Sequence, residues 1–327
     1  ALLVIALLAV MMVMVVTLAL LIIALLAVMV MMVGCHIDPP APVDESFTVM
    51  TYNVRVETLP GTEKTEYDTT TKRRELMRKH IQSADPDIIC TQEWTLSHEG
   101  GIWEDLEGTY EKIGERRSSW LTDEYNAILF KKDRFELVET ETFWLSDTPG
   151  LMAERDATTG LYPWGSGYPR ICTTAVLLDK ISGKTFRVSN THLDLNESAT
   201  GKQRKLVVDY TANSEEPAIL CGDFNFTAQN PLYLYCINTL NDCRTADLNA
   251  TTTASYNGYN LQELPQDQVL DKDGNVRDGY GYPIDQIFVK RNSFTVHSYD
   301  VLNYLIDGKF SSDHFPVVVR LSVNDTT

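Results

Sequence analysis

The pattern of apolar and polar residues divides the chain into an uncharged leader and a longer segment of short strands and helices. Residues 1–33 contain no charged side chain, and as a helix they are long enough to cross the hydrocarbon core of a bilayer. Beyond them, short apolar runs bounded by turn residues predict a series of strands. These strands are predicted at residues 47–52, 87–91, 126–130, 173–178, 186–190, 218–221, 284–289 and 317–321.

Helical patterns lie between some of these strands. Residues 72–83 and 202–210 are predicted helices, and the first carries an apolar stripe within 76–81 at the spacing of a helix that packs on a sheet. Several strands are apolar throughout, which indicates sheets covered on both faces and therefore a layered α/β protein. Residues 145–170 and 245–283 are rich in Gly, Pro, Thr, Asp and Tyr, which predicts long loops that carry function or are mobile.

Composition and charge limit the function classes. The chain has 327 residues and a formal net charge of -17, whereas proteins that grip long nucleic acids through their phosphates usually carry a basic face. The basic clusters Lys72-Arg73-Arg74 and Arg116-Arg117 are short and are interpreted as solvated helix faces or loops. Because a bound cation reverses the sign of an acidic cleft, the charge disfavours non-specific polyanion binding without excluding a nuclease.

The end of the leader carries a targeting signal. A small residue before a cysteine, Gly34-Cys35, resembles a bacterial lipoprotein signal. The sequence leaves open whether Cys35 is lipidated or the leader is retained as a signal-anchor helix. We therefore predict a leader over 1–34, a proline-containing tether over 35–46 and one globular domain over 47–323. In this organisation the domain is exported and membrane-tethered, and we expect it to be a monomer.

The six cysteines are too few for a disulfide scaffold in a chain of this size. Cys90, Cys172 and Cys221 lie in apolar, strand-like runs, where a buried thiol acts as a small apolar side chain. Cys236 and Cys243 are near enough in sequence for a disulfide, but their spacing leaves this open. The spacing typical of zinc sites does not occur.

Polar side chains with metal-binding or acid–base chemistry follow several of the apolar strands. The residues in these positions are Asn53, Glu93, His192, Asp223 and Asn225. Strand ends are the usual location of ligand chemistry in α/β sheets, and carboxylate and amide oxygens suit Mg²⁺ or Mn²⁺ better than zinc. Asp313-His314 adds a carboxylate beside an imidazole, the pair needed to deprotonate water near neutral pH.

Several short motifs follow one another along the chain. They are Thr51-Tyr52-Asn53-Val54-Arg55, Gln92-Glu93, Asn190-Thr191-His192-Leu193-Asp194, Gly222-Asp223-Phe224-Asn225, Ile284-Asp285-Gln286-Ile287-Phe288 and Ser312-Asp313-His314-Phe315-Pro316. In type and order they resemble the motifs of the endonuclease/exonuclease/phosphatase superfamily, which includes deoxyribonuclease I-like nucleases and inositol phosphatases. One such motif arises by chance, whereas the ordered set is specific. The resemblance implies a four-layered α/β sandwich with two central mixed sheets flanked by helices.

The resemblance also implies how the site holds its metal and its water. Glu93 binds the principal metal ion, Mg²⁺ or Mn²⁺, with Asn53 close to it and Asp313 on the same side. Asp223 and Asn225 orient the attacking water and bind the phosphate or a second metal ion. These roles agree with the chemistry, since attack on an anionic phosphoester needs a cation over its oxygens and an aligned water.

The remaining site residues act on the phosphate or on protons. By the same resemblance, His192 stabilises phosphate oxygens, and His314, held by Asp285, acts as general base or charge stabiliser. Residues 125–130, 143–149 and 169–172 resemble a bacterial branch of the superfamily. This resemblance makes Arg170 a candidate phosphate clamp, with an ordinary surface salt bridge as the alternative. Asn126 is a candidate substrate contact, with a structural amide at a strand start as an equal alternative.

The leading functional hypothesis is a divalent-metal-dependent phosphoester hydrolase, either a phosphodiesterase or a phosphatase, acting on a small phosphoester or an oligonucleotide. The chain departs from the bacterial branch at 153–168 and after Asp194, and both segments are expected to border the site, so these departures bear on substrate choice. A secreted or surface nuclease is the alternative, and it requires a basic or aromatic groove beside the metal. The third hypothesis is a binding module whose catalytic centre has decayed.

Overall fold

The computed structural model describes residues 2–32, 44–57, 70–120, 123–247, 250, 253–259, 268–270, 276–278 and 282–325. Contacts divide the chain into two compact units, Ala1–Asp44 and Glu45–Thr327. The first unit contains helix α1 (Leu2–Met32). Its segment Leu3–Leu26 is long and apolar enough to cross a membrane, and a signal sequence near the N-terminus has the same length and composition. Cys35 and residues 35–43 of the predicted tether lie outside the described residues.

The second unit is built of strands and short helices. In chain order its strands are β1 (Phe47–Asn53), β2 (Ile88–Gln92), β3 (Tyr110–Ile113), β4 (Ile128–Lys131), β5 (Phe135–Trp144), β6 (Ile171–Asp179), β7 (Thr185–His192), β8 (Ala218–Asp223), β9 (Asn241–Asp242), β10 (Gln268–Leu270), β11 (Val276–Asp278), β12 (Asp285–Val289), β13 (Phe294–Val301) and β14 (Val317–Val323). Its helices are α2 (Thr70–Ala84), α3 (Leu96–Glu99), α4 (Ile102–Leu106), α5 (Glu197–Ala212), α6 (Tyr233–Thr239) and α7 (Cys243–Ala246), with a 3-10 turn at Pro163–Gly165.

Two sheets of six strands each are present among the described residues. The first has the strand order β13-β14-β1-β2-β4-β3, and the second has the order β5-β6-β7-β8-β12-β9. In each sheet one central pair is parallel, β1 with β2 and β7 with β8, while the neighbouring pairs are antiparallel. Both sheets are therefore mixed, as the sequence predicted.

Three apolar clusters define four layers. One cluster lies between the sheets and joins residues of both, such as Val49 and Ile88 of the first sheet and Val188 and Ile219 of the second. The other two clusters pack α2 and α4 on the outer face of the first sheet, and α5 and α6 on the outer face of the second. Each fully buried aliphatic or aromatic side chain contributes about 1.5–3 kcal/mol to stability. The predicted four-layered α/β sandwich is confirmed.

The predicted strands and the two predicted helices all appear in the fold, with small differences at their ends. Four strands of the two six-stranded sheets were missed, namely β3, β5, β9 and β13, and all four are at the edges of the sheets. The predicted loop at 145–170 contains only the 3-10 turn, whereas 245–283 includes the short strands β10 and β11 within its described part. Cys236 and Cys243 are separate buried thiols, so the structure contains no disulfide between them.

A buried amide joins the two sheets near their strand ends. Asn190 of β7 is completely buried, and its Nδ2 donates to the carbonyl oxygens of Thr91 (2.8 Å) and Ala127 (2.9 Å) in the first sheet. Its Oδ1 accepts a hydrogen bond from Gln92 Nε2 at 2.7 Å. Asn190 therefore links the two sheets through three buried hydrogen bonds, and buried polar groups are stable only when they are paired in this way.

Replacing Asn190 with Ala is expected to lower the free energy of unfolding by about 3 kcal/mol, because it removes three buried hydrogen bonds that each contribute about 0.5–1.5 kcal/mol. Chemical denaturation followed by circular dichroism measures the change. Asn303→Ala, at an exposed position, is the control and should alter stability by no more than about 0.5 kcal/mol. Equal stability of the two variants would contradict the bridging role.

Candidate active site

Sheet register brings the polar strand ends together. Parallel pairing of β7 with β8 sets His192 opposite Asp223, and antiparallel pairing of β12 with β8 sets Asp285 opposite the same residue. In the other sheet, β1 and β2 pair in parallel with Asn53 opposite Gln92, so that Glu93 follows at the same edge. The site is therefore a consequence of strand pairing, and its side chains come from both sheets.

Asn53 links the carboxylates of the two sheets at the centre of the site. It is completely buried, and its Nδ2 donates to Glu93 Oε1 (3.0 Å) and to Asp223 Oδ2 (3.1 Å). Its Oδ1 accepts a hydrogen bond from the backbone N–H of Arg55 at 3.0 Å. In this orientation Asn53 presents donors to the carboxylates, so it positions them, whereas the sequence predicted an oxygen ligand of the metal.

Glu93 and Asp313 fit a divalent cation. Their carboxylate oxygens lie 3.9 and 3.5 Å from one atom, Arg55 Nη1, which shows that both oxygens converge on a single cationic group. Burial raises the pKa of Glu93, but the Arg55 charge and a 2.7 Å hydrogen bond from the Val56 N–H outweigh it, so the net pKa is below its usual range. Two such hard oxygen donors suit Mg²⁺ or Mn²⁺.

His314 is held as a charged imidazole. Its Nδ1 is hydrogen-bonded to Asp285 Oδ2 at 2.7 Å, and its Nε2 lies 3.9 Å from Asp223 Oδ2. Burial lowers the pKa of His314, but the charges of Asp285 and Asp223 and that of Asp313 outweigh it and raise the pKa to about 10. The side-chain oxygens of Asp223 and Asp285 and a ring nitrogen of His314 lie within 4.8 Å of one another, so the charged imidazole sits directly between two carboxylates.

His192 and Asp223 differ from His314 in charge state. Burial and the nearby charges of Arg170 and Arg117 hold the pKa of His192 well below its usual range, so this imidazole is neutral. Its Nε2 lies 3.5 Å from Asp223 Oδ2. Burial and the Asp285 charge raise the pKa of Asp223 to about 7, with His314 acting in the opposite direction. A carboxylate that titrates near neutral pH is suited to accept a proton from water.

Three residues of the site have a left-handed backbone. Their φ angles are 62° at Arg55, 59° at Glu93 and 54° at Asn225. Residues other than glycine rarely adopt this region, and holding one there costs about 1–3 kcal/mol. At Asn225 the conformation lets the backbone N–H donate to Asp223 Oδ1 (2.9 Å) while Nδ2 donates to the Leu193 carbonyl (2.8 Å). The surrounding fold therefore fixes these side chains in the site against a local cost.

The site opens into a cavity of about 400 Å³. Seven of the ten predicted site residues line it, namely Glu93, Arg170, His192, Asp223, Asn225, Asp313 and His314. Asn53 and Asp285 do not line the cavity, but they hold the lining residues through the hydrogen bonds given above. The lining also includes residues outside the predicted site set, among them Arg55, Arg117, Glu124, Tyr168, Leu195 and Tyr256.

The two predicted substrate contacts have different surroundings. Arg170 is buried and lines the cavity, with its Nε 3.5 Å from Asp194 Oδ2, so it is not an ordinary surface salt bridge. Asn126 is also buried, but its Nδ2 donates to the Ile171 carbonyl at 2.8 Å and it is not among the lining residues. This position agrees with a structural amide and not with the predicted substrate contact.

Arg117 was interpreted from sequence as part of a solvated loop, and the structure corrects this. Its side chain is buried and pairs with Asp123 (2.7 Å) and Glu124 (2.8 Å) in the same turn. The sequence signal for this pairing was the acidic pair that follows the basic pair within a few residues. Opposite charges across a short turn favour local ion pairs, but they do not show that the turn folds over a cavity.

The fold and the site define a phosphoester hydrolase of the deoxyribonuclease I-like type: two mixed sheets between helices, with acidic oxygens and an Asp–His pair at one rim. Residues 50–314 match the Endonuclease/Exonuclease/phosphatase family, and the chain belongs to this family. Its members hydrolyse phosphoester bonds and depend on divalent metal ions, so the predicted family and enzyme class are confirmed.

Solved structures show the same fold. An endonuclease/exonuclease/phosphatase family protein of Bacteroides thetaiotaomicron is 28% identical, with a TM-score of 0.72 over 86% of this chain and 98% of that one. The mannosyl-6-phosphatase Bt3783 of the same organism is 27% identical, with a TM-score of 0.69 over 84% of this chain and 99% of that one. The human Nocturnin catalytic domain shares the fold at 18% identity, with a TM-score of 0.57 over 87% and 97% of the two chains.

One similar protein is longer than this chain. The CCR4-Not complex 3'-5'-exoribonuclease subunit Ccr4 of Mycosarcoma maydis is 22% identical over 308 residues, which cover 77% of this chain and 45% of that protein. The chain therefore spans less than half of the length of that relative.

Proposed function

We propose that the protein is a divalent-metal-dependent phosphomonoesterase that acts on a small phosphorylated compound. The observation that carries this proposal is the lining of the cavity: metal-binding carboxylates, a neutral imidazole and two buried arginines around about 400 Å³. This volume lies at the small end of the range for ligand sites. Similarity to a mannosyl-6-phosphatase supports the same class of reaction.

Charge distinguishes a monoester from a diester. A phosphate monoester carries one more ionisable oxygen than a diester, and a site that prefers it must neutralise that additional charge. Arg117, Arg170 and His192 all line the cavity, and the charges of the two arginines lower the pKa of that imidazole. A guanidinium binds phosphate oxygens with two parallel donors. We assign Arg170 as the phosphate clamp, and Arg117 also lies in the cavity lining.

The proposed chemistry uses residues already held in place. A metal ion bound by Glu93 and Asp313 would supply positive charge at the phosphoryl oxygens. Water attacks phosphorus as Asp223 accepts its proton, the bond to the leaving oxygen breaks, and that oxygen takes up a proton from solvent or from His314, giving an alcohol and inorganic phosphate. The charged His314 stabilises the phosphoryl oxygens or donates its proton to the leaving oxygen. Of the two roles predicted for His314, its raised pKa favours charge stabilisation over general base.

Comparing an aryl phosphate monoester with the corresponding bis-aryl diester in Mg²⁺ tests this function. We expect kcat/KM for the monoester to exceed that for the diester by at least about tenfold, and a chelator to abolish turnover. Glu93→Gln should lower kcat/KM by about 10³-fold, because it removes a ligand charge and weakens the stabilisation of the phosphoryl oxygens. Glu136→Gln, an exposed residue of β5, is the matched control. Preference for the diester, or turnover that persists in the chelator, would contradict the proposal.

A surface nuclease is the second candidate, and the relative named an exoribonuclease subunit favours it. The net charge of -17 opposes tight binding of a long polyanion. The nuclease is the better assignment if kcat/KM for a short oligoribonucleotide exceeds that for the aryl monoester and if this kcat/KM falls steeply as the salt concentration rises. Turnover of the monoester alone would exclude the nuclease.

We also propose that the hydrolase domain is exported and tethered to a membrane, through either helix α1 or a lipid on Cys35. The apolar stretch Leu3–Leu26 supports this location. Metabolic labelling with a radioactive fatty acid distinguishes the two anchors, with Cys35→Ser as the control. Label that is present in the wild-type protein and lost in the variant identifies lipidation. A wild-type protein that is unlabelled but remains in the membrane fraction identifies the helix as the anchor.

A further inference from the structure

The cavity wall contains a charged pair, Arg117 and Glu124, whose acidic member phosphate hydrolysis does not require. Arg117 Nη1 donates to Glu124 Oε2 at 2.9 Å, and Arg117 Nη2 lies 2.8 Å from Glu124 Oε1, a two-point pairing. Both residues line the cavity, and the Glu124 side chain is 15% exposed. Such a fork of two parallel contacts fixes the plane of the carboxylate and of the guanidinium.

A carboxylate at this position is unfavourable for phosphate alone. It repels an anionic substrate, and its burial raises the pKa of Glu124 to about 7 even though the Arg117 charge opposes this. Each carboxylate oxygen has a second lone pair besides the one that faces Arg117. A neutral donor from the substrate, such as a hydroxyl group, would satisfy that acceptor without adding charge to the cavity.

The local structure does not depend on the Glu124 carboxylate. Asp123 pairs with the Arg117 Nε at 2.7 Å, and the backbone N–H of Arg117 donates to the Glu124 carbonyl at 3.0 Å. The Trp144 Nε1 donates to the Arg117 carbonyl at 2.7 Å. Because three other contacts anchor the turn, the carboxylate of Glu124 is available for a role in the cavity.

An apolar surface lies beside this pair. The ring of Tyr168 lines the cavity, 56% of the residue is exposed, and the guanidinium carbons of Arg117 and Arg170 lie 4.9 and 5.9 Å from its centroid. Leu195, 73% exposed, also lines the cavity. An exposed aromatic ring next to paired polar groups matches a sugar, which has C–H groups on one face and hydroxyl groups at its edge.

We propose that Arg117, Glu124 and Tyr168 form a leaving-group subsite that binds adjacent hydroxyl groups of a phosphorylated sugar or similar polyol. Glu124 accepts one hydroxyl hydrogen, the Arg117 guanidinium donates to the neighbouring hydroxyl oxygen, and the Tyr168 ring covers the C–H face. The subsite deepens the proposed phosphomonoesterase function and rests on it: the reaction releases the polyol and inorganic phosphate.

The test compares hexose 6-phosphate with n-hexyl phosphate, which has the same number of carbons and no hydroxyl groups. The wild-type chain should prefer the hexose phosphate, and Glu124→Gln should reduce this preference, measured as the ratio of the two kcat/KM values, by about 10- to 100-fold. Asp123→Asn, which removes the other acidic partner of Arg117, is the matched control and should retain the preference. Tyr168→Ala, at an exposed position, should reduce the preference severalfold and serves if Glu124→Gln fails to fold.

Two results would overturn the subsite. One is an equal loss of kcat/KM on both substrates in Glu124→Gln, which assigns the pair a structural role. The other is a wild-type enzyme without preference for the hexose phosphate. If the wild-type enzyme lacks this preference but still hydrolyses n-hexyl phosphate in a metal-dependent way, the phosphomonoesterase function is supported and only the subsite is wrong. If neither substrate is hydrolysed, the phosphomonoesterase function is contradicted as well.

Discussion

Replacing His314 with Gln is expected to lower kcat by about 10²- to 10⁴-fold, the usual contribution of a positioned acid–base group. The imidazole is buried, hydrogen-bonded to Asp285 and 3.9 Å from Asp223, so its charge acts at the centre of the site. Gln retains a donor of similar reach but cannot carry the positive charge. Steady-state hydrolysis of an aryl phosphate monoester in Mg²⁺ measures the loss, and thermal melting shows that the variant is folded.

A histidine outside the site controls for general effects. His297 is exposed on β13 and is hydrogen-bonded to Ser322, so His297→Gln should leave kcat within about twofold of the wild-type value. Asp285→Asn should give an intermediate loss, because it removes the charge that keeps His314 protonated but retains an oxygen for the hydrogen bond. A His314→Gln variant with more than a tenth of the wild-type kcat would rule out the proposed role of this residue.

The second large effect is expected at a glycine. Replacing Gly222 with Ala should lower the free energy of unfolding by at least about 4 kcal/mol, as severe backbone clashes do. A Cβ at this position would lie 1.9 Å from the Thr191 carbonyl oxygen, and its φ of 147° is a region that other residues rarely adopt. The clash involves the backbone of β7, which pairs with β8, so neither strand can move without disturbing the register that sets His192 opposite Asp223.

Urea denaturation measures this loss of stability, with Gly108→Ala as the control. Gly108 is exposed and lies outside the site, and a Cβ added there would meet no other atom within 4 Å, so its replacement should change stability by no more than about 0.5 kcal/mol. If Gly222→Ala is as stable as the control, the two strands are not packed as closely as the structure shows.

The central strands of the fold were predictable because both their faces are covered. Strands such as Ile88–Gln92 and Ala218–Asp223 are buried at every position, and a continuous apolar run identifies them. The edge strand β5 is different: Glu136, Glu139 and Glu141 are exposed, so its composition resembles that of a solvated loop. Sequence patterns therefore identified the middle of each sheet and missed the edges, where the pairing of one strand with another determines the structure.

The same limit applied to the site. Residues such as Asp223 and His192 were predictable because each stands at the end of a strand that the sequence pattern identifies. Arg117 and Glu124 were not, because they lie on a turn and are brought to the cavity only by tertiary packing. For Asn53 the sequence identified the residue but not which end of its amide faces the carboxylates, since that depends on the hydrogen bonds around it.

The left-handed backbone at Arg55, Glu93 and Asn225 sets local stability against the composition of the site. Gly adopts this conformation without strain, so replacing Arg55 or Glu93 with Gly would relieve the backbone cost at that position. The same replacement would remove a side chain that lines the cavity. At these two positions a less strained backbone and a complete site therefore oppose each other.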